Sequence, residues 1–271
     1  MSNLFEKLDT MTPLKPLVYF IGAGPGDPEL LTLKAYKIIT QADVILYADS
    51  LIPKQILQDV RKDAQLITTG NKTLESIIEL IKNRVEHGYT VVRLHSGDLT
   101  LYSAIYEQIA LLIKENIKFE LVPGISAFQA AAAKISAELT IPELVQTIIL
   151  TRVDGAASKV PSPEKLEKLA AHKSSLCLYL AARHAEKSQA ALLKHYPSNT
   201  LVAICFRVGW PDEVIRIVPL ENMAEVTQKE KLIRTTLYII SPALKTNIDN
   251  RSKLYHPDHN HLFRPERNKN I

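Results

Sequence analysis

The sequence predicts an α/β protein of two α/β domains, an N-terminal mainly parallel open sheet and a C-terminal mixed sheet. Three observations carry that expectation. From Leu17 to about Ile135, short apolar runs alternate with amphipathic segments, the strand and crossover-helix pattern whose right-handed connections cover both faces of an open sheet. After Gln146, strand-like runs resume at tighter spacing, which suits a mixed sheet. A length of 271 residues is more than one ordinary core needs.

In chain order, the first domain is expected to contain strands at Leu17–Ile21, Val44–Tyr47, Leu66–Thr68, Thr90–His95 and Phe119–Val122. A helical pattern starts near Thr32, and the clearest helix is Thr73 to His87. There Leu74, Ile77, Ile78, Ile81 and Val85 share one face, and Gly88 supplies the stop. A further helix is expected over Tyr102–Asn116. Ser136 to Gln146, with Pro142 and little periodicity, reads as a link. Beyond it, strands are expected at Thr147–Leu150, Leu176–Leu180, Leu201–Phe206, Val214–Val218 and Leu237–Ile240, and helices at Pro163–Ala171, Arg183–Tyr196 and Leu220–Gln228. The domains are therefore placed at 1–137 and 138–247, with a basic polar tail over 248–271.

Composition narrows the function classes. The formal charge of +4 is modest, and no basic run interleaved with aromatics suggests a nucleic-acid groove. No apolar run approaches the roughly 20 residues that span a bilayer. Met1 to Lys15 is polar and lacks a signal-peptide core, so a cytoplasmic protein without a membrane partner is expected. Cys177 and Cys205 both fall in apolar strand-like runs, as small buried hydrophobes with reduced thiols. In the tail, His256, His259 and His261 have only Asp258 as an acidic neighbour, so they read as solvated side chains and no metal is expected.

The chemistry concentrates in loops that leave strands. Val18-Tyr19-Phe20-Ile21 runs into Gly22-Ala23-Gly24-Pro25-Gly26-Asp27-Pro28, where glycine permits close backbone approach to a ligand. A dinucleotide fingerprint needs G-x-G-x-x-G, but the glycines here fall one residue short, and Pro25 removes an N–H that a pyrophosphate would use. Asp49, closing the strand Val44–Tyr47, stands where a dinucleotide fold places its ribose-binding carboxylate, which keeps a nicotinamide-dependent oxidoreductase as an alternative. Ser96-Gly97-Asp98-Leu99-Thr100-Leu101-Tyr102 and Pro123-Gly124-Ile125-Ser126-Ala127 leave two further strands. In an open α/β sheet such loops converge, giving a pocket walled by backbone groups that suits a body such as adenosine. Asp98 can hold a ribose or amino group, or cap the helix that follows. His95 reads as a structural histidine rather than a base.

These segments, Gly22 to Thr32, Ser96-Gly97-Asp98 and Val122-Pro123-Gly124-Ile125-Ser126, resemble the tetrapyrrole methylases of cobalamin and sirohaem synthesis, over nearly the whole chain. Tyr47–Ile52, Leu139–Pro142, Gln146–Arg152 and Ser252–Pro257 most resemble the branch that methylates C11 of precorrin-4 or cobalt-precorrin-4. Methylation at another ring position, as by uroporphyrinogen III C-methyltransferase, is the alternative within the family. The resemblance implies S-adenosylmethionine as methyl donor in a cleft between the two domains, a tetrapyrrole substrate alongside, and a homodimer. It carries cofactor contacts onto Pro25, Ser96, Gly97, Asp98, Leu101, Ser126 and Ala127, and from the second domain onto Leu180, Ala203 and Thr236. Leu99 stands where proline is usual after Gly-Asp and is expected to loosen that loop. Asp49 is the candidate catalytic residue, placed to orient a pyrrole N–H, and the basic tail can face substrate carboxylates.

Overall fold

The computed structural model describes residues 14–15, 17–155 and 158–245. The readings of the tail, its histidines included, and of most of the polar start lie outside these residues. The chain divides into two compact units. One holds the described residues through Ala131 together with Phe206–Val214, and the other holds Ala132–Cys205 with the described residues from Ile215 onward.

In the first unit, β1 (Val18–Gly22), β2 (Val44–Tyr47), β3 (Gln65–Thr68), β4 (Val91–His95) and β5 (Phe119–Val122) form one sheet in the order β3-β2-β4-β1-β5. Every pairing is parallel, with Gly22 opposite His95 and Ile21 opposite Val122. The central strands are buried along their whole length, which follows from helices covering both faces. Tyr19, Ile21, Ile45, Val92 and Leu94 pack on one face against Ala35, Ile38 and Ile39 of α1 (Leu33–Ile39). Val18, Phe20, Val44, Leu46 and Val91 pack on the other against Ile77, Ile78 and Ile81 of α2 (Leu74–Glu86) and Leu112 of α3 (Ile105–Lys114). Each large apolar side chain so enclosed contributes about 1.5–3 kcal/mol.

Caps fix where the helices begin. The Thr32 hydroxyl accepts from Ala35 N at 3.2 Å, and Thr73 Oγ1 accepts from Ser76 N at 3.3 Å. The helix expected from Tyr102 starts only at Ile105, because Tyr102 and Ala104 take left-handed φ of 56° and 52°. The Ala-rich α4 (Ala127–Lys134), which apolar periodicity does not signal, follows the third glycine loop.

In the second unit, β6 (Ile148–Arg152), β7 (Ser175–Tyr179), β8 (Leu201–Phe206), β9 (Val214–Pro219) and β10 (Thr236–Ile240) lie in the order β6-β7-β10-β8-β9. β6 runs parallel to β7 and β10 antiparallel to it, so this sheet is mixed as expected. Helices α5 (Leu166–Ala170), α6 (Ala185–Leu193) and α7 (Met223–Lys229) pack in succession, α5 on α6 and α6 on α7. A buried hydroxyl pair fastens its interior: Ser175 Oγ donates to the Leu139 carbonyl at 2.6 Å and meets Ser241 Oγ at 2.6 Å. Cys177 and Cys205 are both buried, and burial, with a smaller push from Cys205, raises the Cys177 thiol to about 12.

Candidate active site

The carboxyl ends of β4, β1 and β5, three adjacent strands, bring the glycine loops together. Ala23 N donates to the His95 carbonyl at 2.8 Å, Gly24 N to the Gly97 carbonyl at 3.2 Å, and Gly97 N to the Gly24 carbonyl at 2.7 Å. The third loop touches both others through bare backbone. A Cβ at Gly124 would lie 2.3 Å from the Gly97 oxygen and 2.4 Å from the Gly22 oxygen. Only residues without side chains permit this approach.

The second loop is braced from within. Asp98 Oδ1 accepts from Thr100 N at 2.9 Å and from the Thr100 hydroxyl. Among the described residues no hydrogen bond reaches Asp98 Oδ2. The capping alternative for Asp98 does not hold, since α3 begins at Ile105 with Ala104 as its cap residue. Nor does Leu99 loosen the loop: it is buried among Phe20, Ile81 and Leu112 and anchors it. Ser96 and Leu101 are half-buried on either side. In the third loop, Ser126 is buried and its N–H donates to Gln129 Oε1 at 2.9 Å, half of a capping box that starts α4 beside Ala127. Gly97 faces Ser126 and Ala127 across a narrow gap, where its own Cβ would sit 3.9 Å from Ser126 Cα.

Asp49 lies just past β2, next to β4 in the sheet and on the same edge as the loops. It is exposed, accepts from Ser50 N at 3.1 Å, and stands 3.4 Å from where a Cβ on Gly70 would be. His95 is buried against the Phe20 ring, with centroids 6.0 Å apart, and its Nε2 has no hydrogen-bond partner among the described residues. Burial above all, then the nearby Arg93 charge, lowers its pKa to about 3 against a weaker pull from the Ser103 backbone, so it is a neutral structural group. Arg93, buried beside it, donates to Gln108 Oε1 at 3.2 Å and to the Leu46 carbonyl at 3.3 Å, and burial lowers its pKa to about 10.

The other positions singled out from sequence belong to the second unit. Leu180 follows β7 with φ of 55° and is 65% exposed. Thr236 opens β10, and its Oγ1 donates to the Leu232 carbonyl at 2.7 Å. Ala203 is fully enclosed within β8. Sequence reasoning passed over Gln55 and Trp210, both bonded to the first loop. A lone tryptophan in the turn Gly209-Trp210-Pro211 was the available signal for one; nothing marked the other.

A glycine-lined backbone edge beside a carboxylate has the chemistry to hold a nucleoside-bearing ligand. The family model described as Tetrapyrrole (Corrin/Porphyrin) Methylases matches residues 17–224. The chain is 40% identical over 253 residues to the cobalt-precorrin-4 C(11)-methyltransferase of Methanocaldococcus jannaschii, covering 93% of this chain and 97% of that protein. It is 41% identical over 248 residues to the precorrin-4 C(11)-methyltransferase of Pseudomonas aeruginosa, covering 92% and 98%. The X-ray structure of a cobalt precorrin-4 methyltransferase, a cobalamin biosynthetic enzyme, superposes with TM-score 0.82 at 37% identity, over 85% of this chain and 96% of that one. The uroporphyrin-III C-methyltransferase of Thermus thermophilus, solved with S-adenosylhomocysteine, gives TM-score 0.71 at 26% identity, over 84% and 98%.

Proposed function

The chain belongs to the tetrapyrrole (corrin/porphyrin) methylases, and from that premise we propose that it transfers a methyl group from S-adenosylmethionine to C11 of precorrin-4 or cobalt-precorrin-4 in cobalamin biosynthesis. The meeting of three glycine-bearing loops at one sheet edge is the observation that carries the cofactor reading. Membership in a methylase family decides against the nicotinamide alternative. The higher identity and TM-score to the cobalt precorrin-4 enzyme than to the uroporphyrin-III enzyme favour C11 over another ring position. Relatives named for cobalt-precorrin-4 and for precorrin-4 are equally similar, so the proposal covers the macrocycle common to both.

When bound, S-adenosylmethionine supplies an already activated methyl group. The protein's task is then placement, and a near-attack geometry contributes on the order of 7–11 kcal/mol. Asp98, its Oδ1 held by Thr100, presents Oδ2 to a ribose hydroxyl. Ser96, Gly97, Leu101, Ser126 and Ala127 line the backbone groove, and Pro25 is part of its wall. Leu180, Ala203 and Thr236 are carried as cofactor positions by the resemblance alone. Asp49 accepts a pyrrole N–H and steadies charge that shifts through the macrocycle as the ring carbon gains its methyl.

We also read the protein as a cytoplasmic homodimer. Among the described residues no helix is long and apolar enough to cross a membrane. Tyr106, 82% exposed, and Ile113 stand on one face of α3 and supply apolar surface for a second copy. Incubation with methyl-labelled cofactor and the precorrin series, followed by NMR of the product, tests the reaction. Label at C11 is expected; label at another ring carbon, or none, overturns the assignment.

A further inference from the structure

The first glycine loop is held by a segment far away in sequence. Gln55 Nε2 donates to the Gly26 carbonyl at 2.7 Å and to the Gly209 carbonyl at 2.7 Å, so both of its amide protons are used to tie two loops together. Trp210 Nε1 donates to the Pro25 carbonyl at 3.2 Å. The indole lies directly on Gly26, where a Cβ would come within 2.5 Å of Trp210 Cδ1, and a Cβ on Gly209 would lie 2.7 Å from Asp27 N. The Arg207 guanidinium stacks over the same indole at 4.8 Å and over Phe206 at 5.2 Å, and pairs with Asp212. Gly209 N donates to Glu213 Oε2 at 2.7 Å.

The hydrogen bonds show what this strap does to the loop. The N–H groups of Ala23 and Gly24 go to His95 and Gly97, and the carbonyls of Gly24, Pro25 and Gly26 accept from Gly97, Trp210 and Gln55. Pro25 has no N–H at all. The backbone from Ala23 to Gly26 thus has little left to offer a ligand by hydrogen bonding, and what it offers is shape. We propose that Gln55 and Trp210 are positioning residues that set the Pro25–Gly26 turn as a rigid wall for the methyl donor. This rests on the cofactor reading above and adds the residues that act on donor affinity through the first loop.

Trp210 is the chain's one tryptophan, so its emission reports on the strap. Titration of the full-length protein with S-adenosylhomocysteine, followed by calorimetry and by Trp210 fluorescence, is the test. For the wild type, saturable binding with a change in emission is expected. Gln55→Ala is expected to weaken binding about tenfold, the worth of roughly one net hydrogen bond, and to raise KM for S-adenosylmethionine far more than it lowers kcat. Gln55→Glu keeps the size but turns acceptors toward two carbonyls, and loses at least as much. Trp210→Phe, which keeps an aromatic ring but no donor, covers the case in which the Gln55 variants do not fold, and weakens binding several-fold in calorimetry. Wild-type binding with variants that fold and match its affinity within twofold overturns the strap and leaves the cofactor reading intact. A wild type that binds no S-adenosylhomocysteine overturns the cofactor reading, and the strap with it.

Discussion

Arg93 and His95 lie two residues apart on β4, both buried, and burial lowers both pKa values but leaves the two in different charge states. Arg93 remains charged at neutral pH, supported by a side-chain amide and main-chain carbonyls, whereas His95 stays neutral down to about pH 3. Because the folded value lies below the ordinary His value of about 6.5, the unfolded chain binds a proton between those limits and the native chain does not. Stability therefore falls as pH drops from about 6.5 toward 3, by up to about 1.4 kcal/mol per pH unit from this group. Urea midpoints at pH 7, 6 and 5 are expected to fall less steeply for His95→Gln than for the wild type. Asp98→Ala removes a charged acceptor and is expected to weaken S-adenosylhomocysteine binding about 10- to 100-fold with the fold retained. Affinity equal to wild type would take Asp98 out of the site. Asp49→Asn is expected to slow single-turnover methyl transfer at least about tenfold while donor affinity holds within twofold. An unchanged rate would free Asp49 of any catalytic part.

Strands and loops obey a tighter constraint than any one residue. Gly124 sits between two main-chain oxygens that cannot swing aside, so Gly124→Ala must push loops apart, at a cost of about 1–3 kcal/mol. Gly155, with nothing within 4 Å of a Cβ, is the control, and Gly155→Ala should melt like the wild type. Differential scanning calorimetry on both variants checks this. The strands were legible in sequence to within a residue or two, because strands covered on both faces read as unbroken apolar runs, as Val44–Tyr47 and Leu201–Phe206 do. The start of α3 was not legible, since left-handed backbone at Tyr102 and Ala104 has no signature in non-glycine residues. α4 stayed hidden because an alanine run marks no face.

For the molecule as a whole, two sheets of different character could be read from the spacing of the strands, and the family from its loop motifs. What the linear order did not disclose is that Phe206–Val214 groups with the first unit, which sets Trp210 on Pro25. That pairing depends on long-range packing between segments whose local composition is an ordinary turn. At this scale the dimer reading is checked by light scattering: a mass near twice 30.3 kDa is expected, and a species at 30.3 kDa across micromolar concentrations would remove it.

The same pairing bears on how the protein is made. Pro25 leaves the ribosome 185 residues ahead of Trp210, which at about 5–20 residues per second is a wait of roughly 10–40 s. The nascent chain can lay down β1 and its flanking strands in that interval, but the donor loop stays unbraced until Trp210 has emerged. Stalled or prematurely released chains would thus carry the glycine motif without a finished wall.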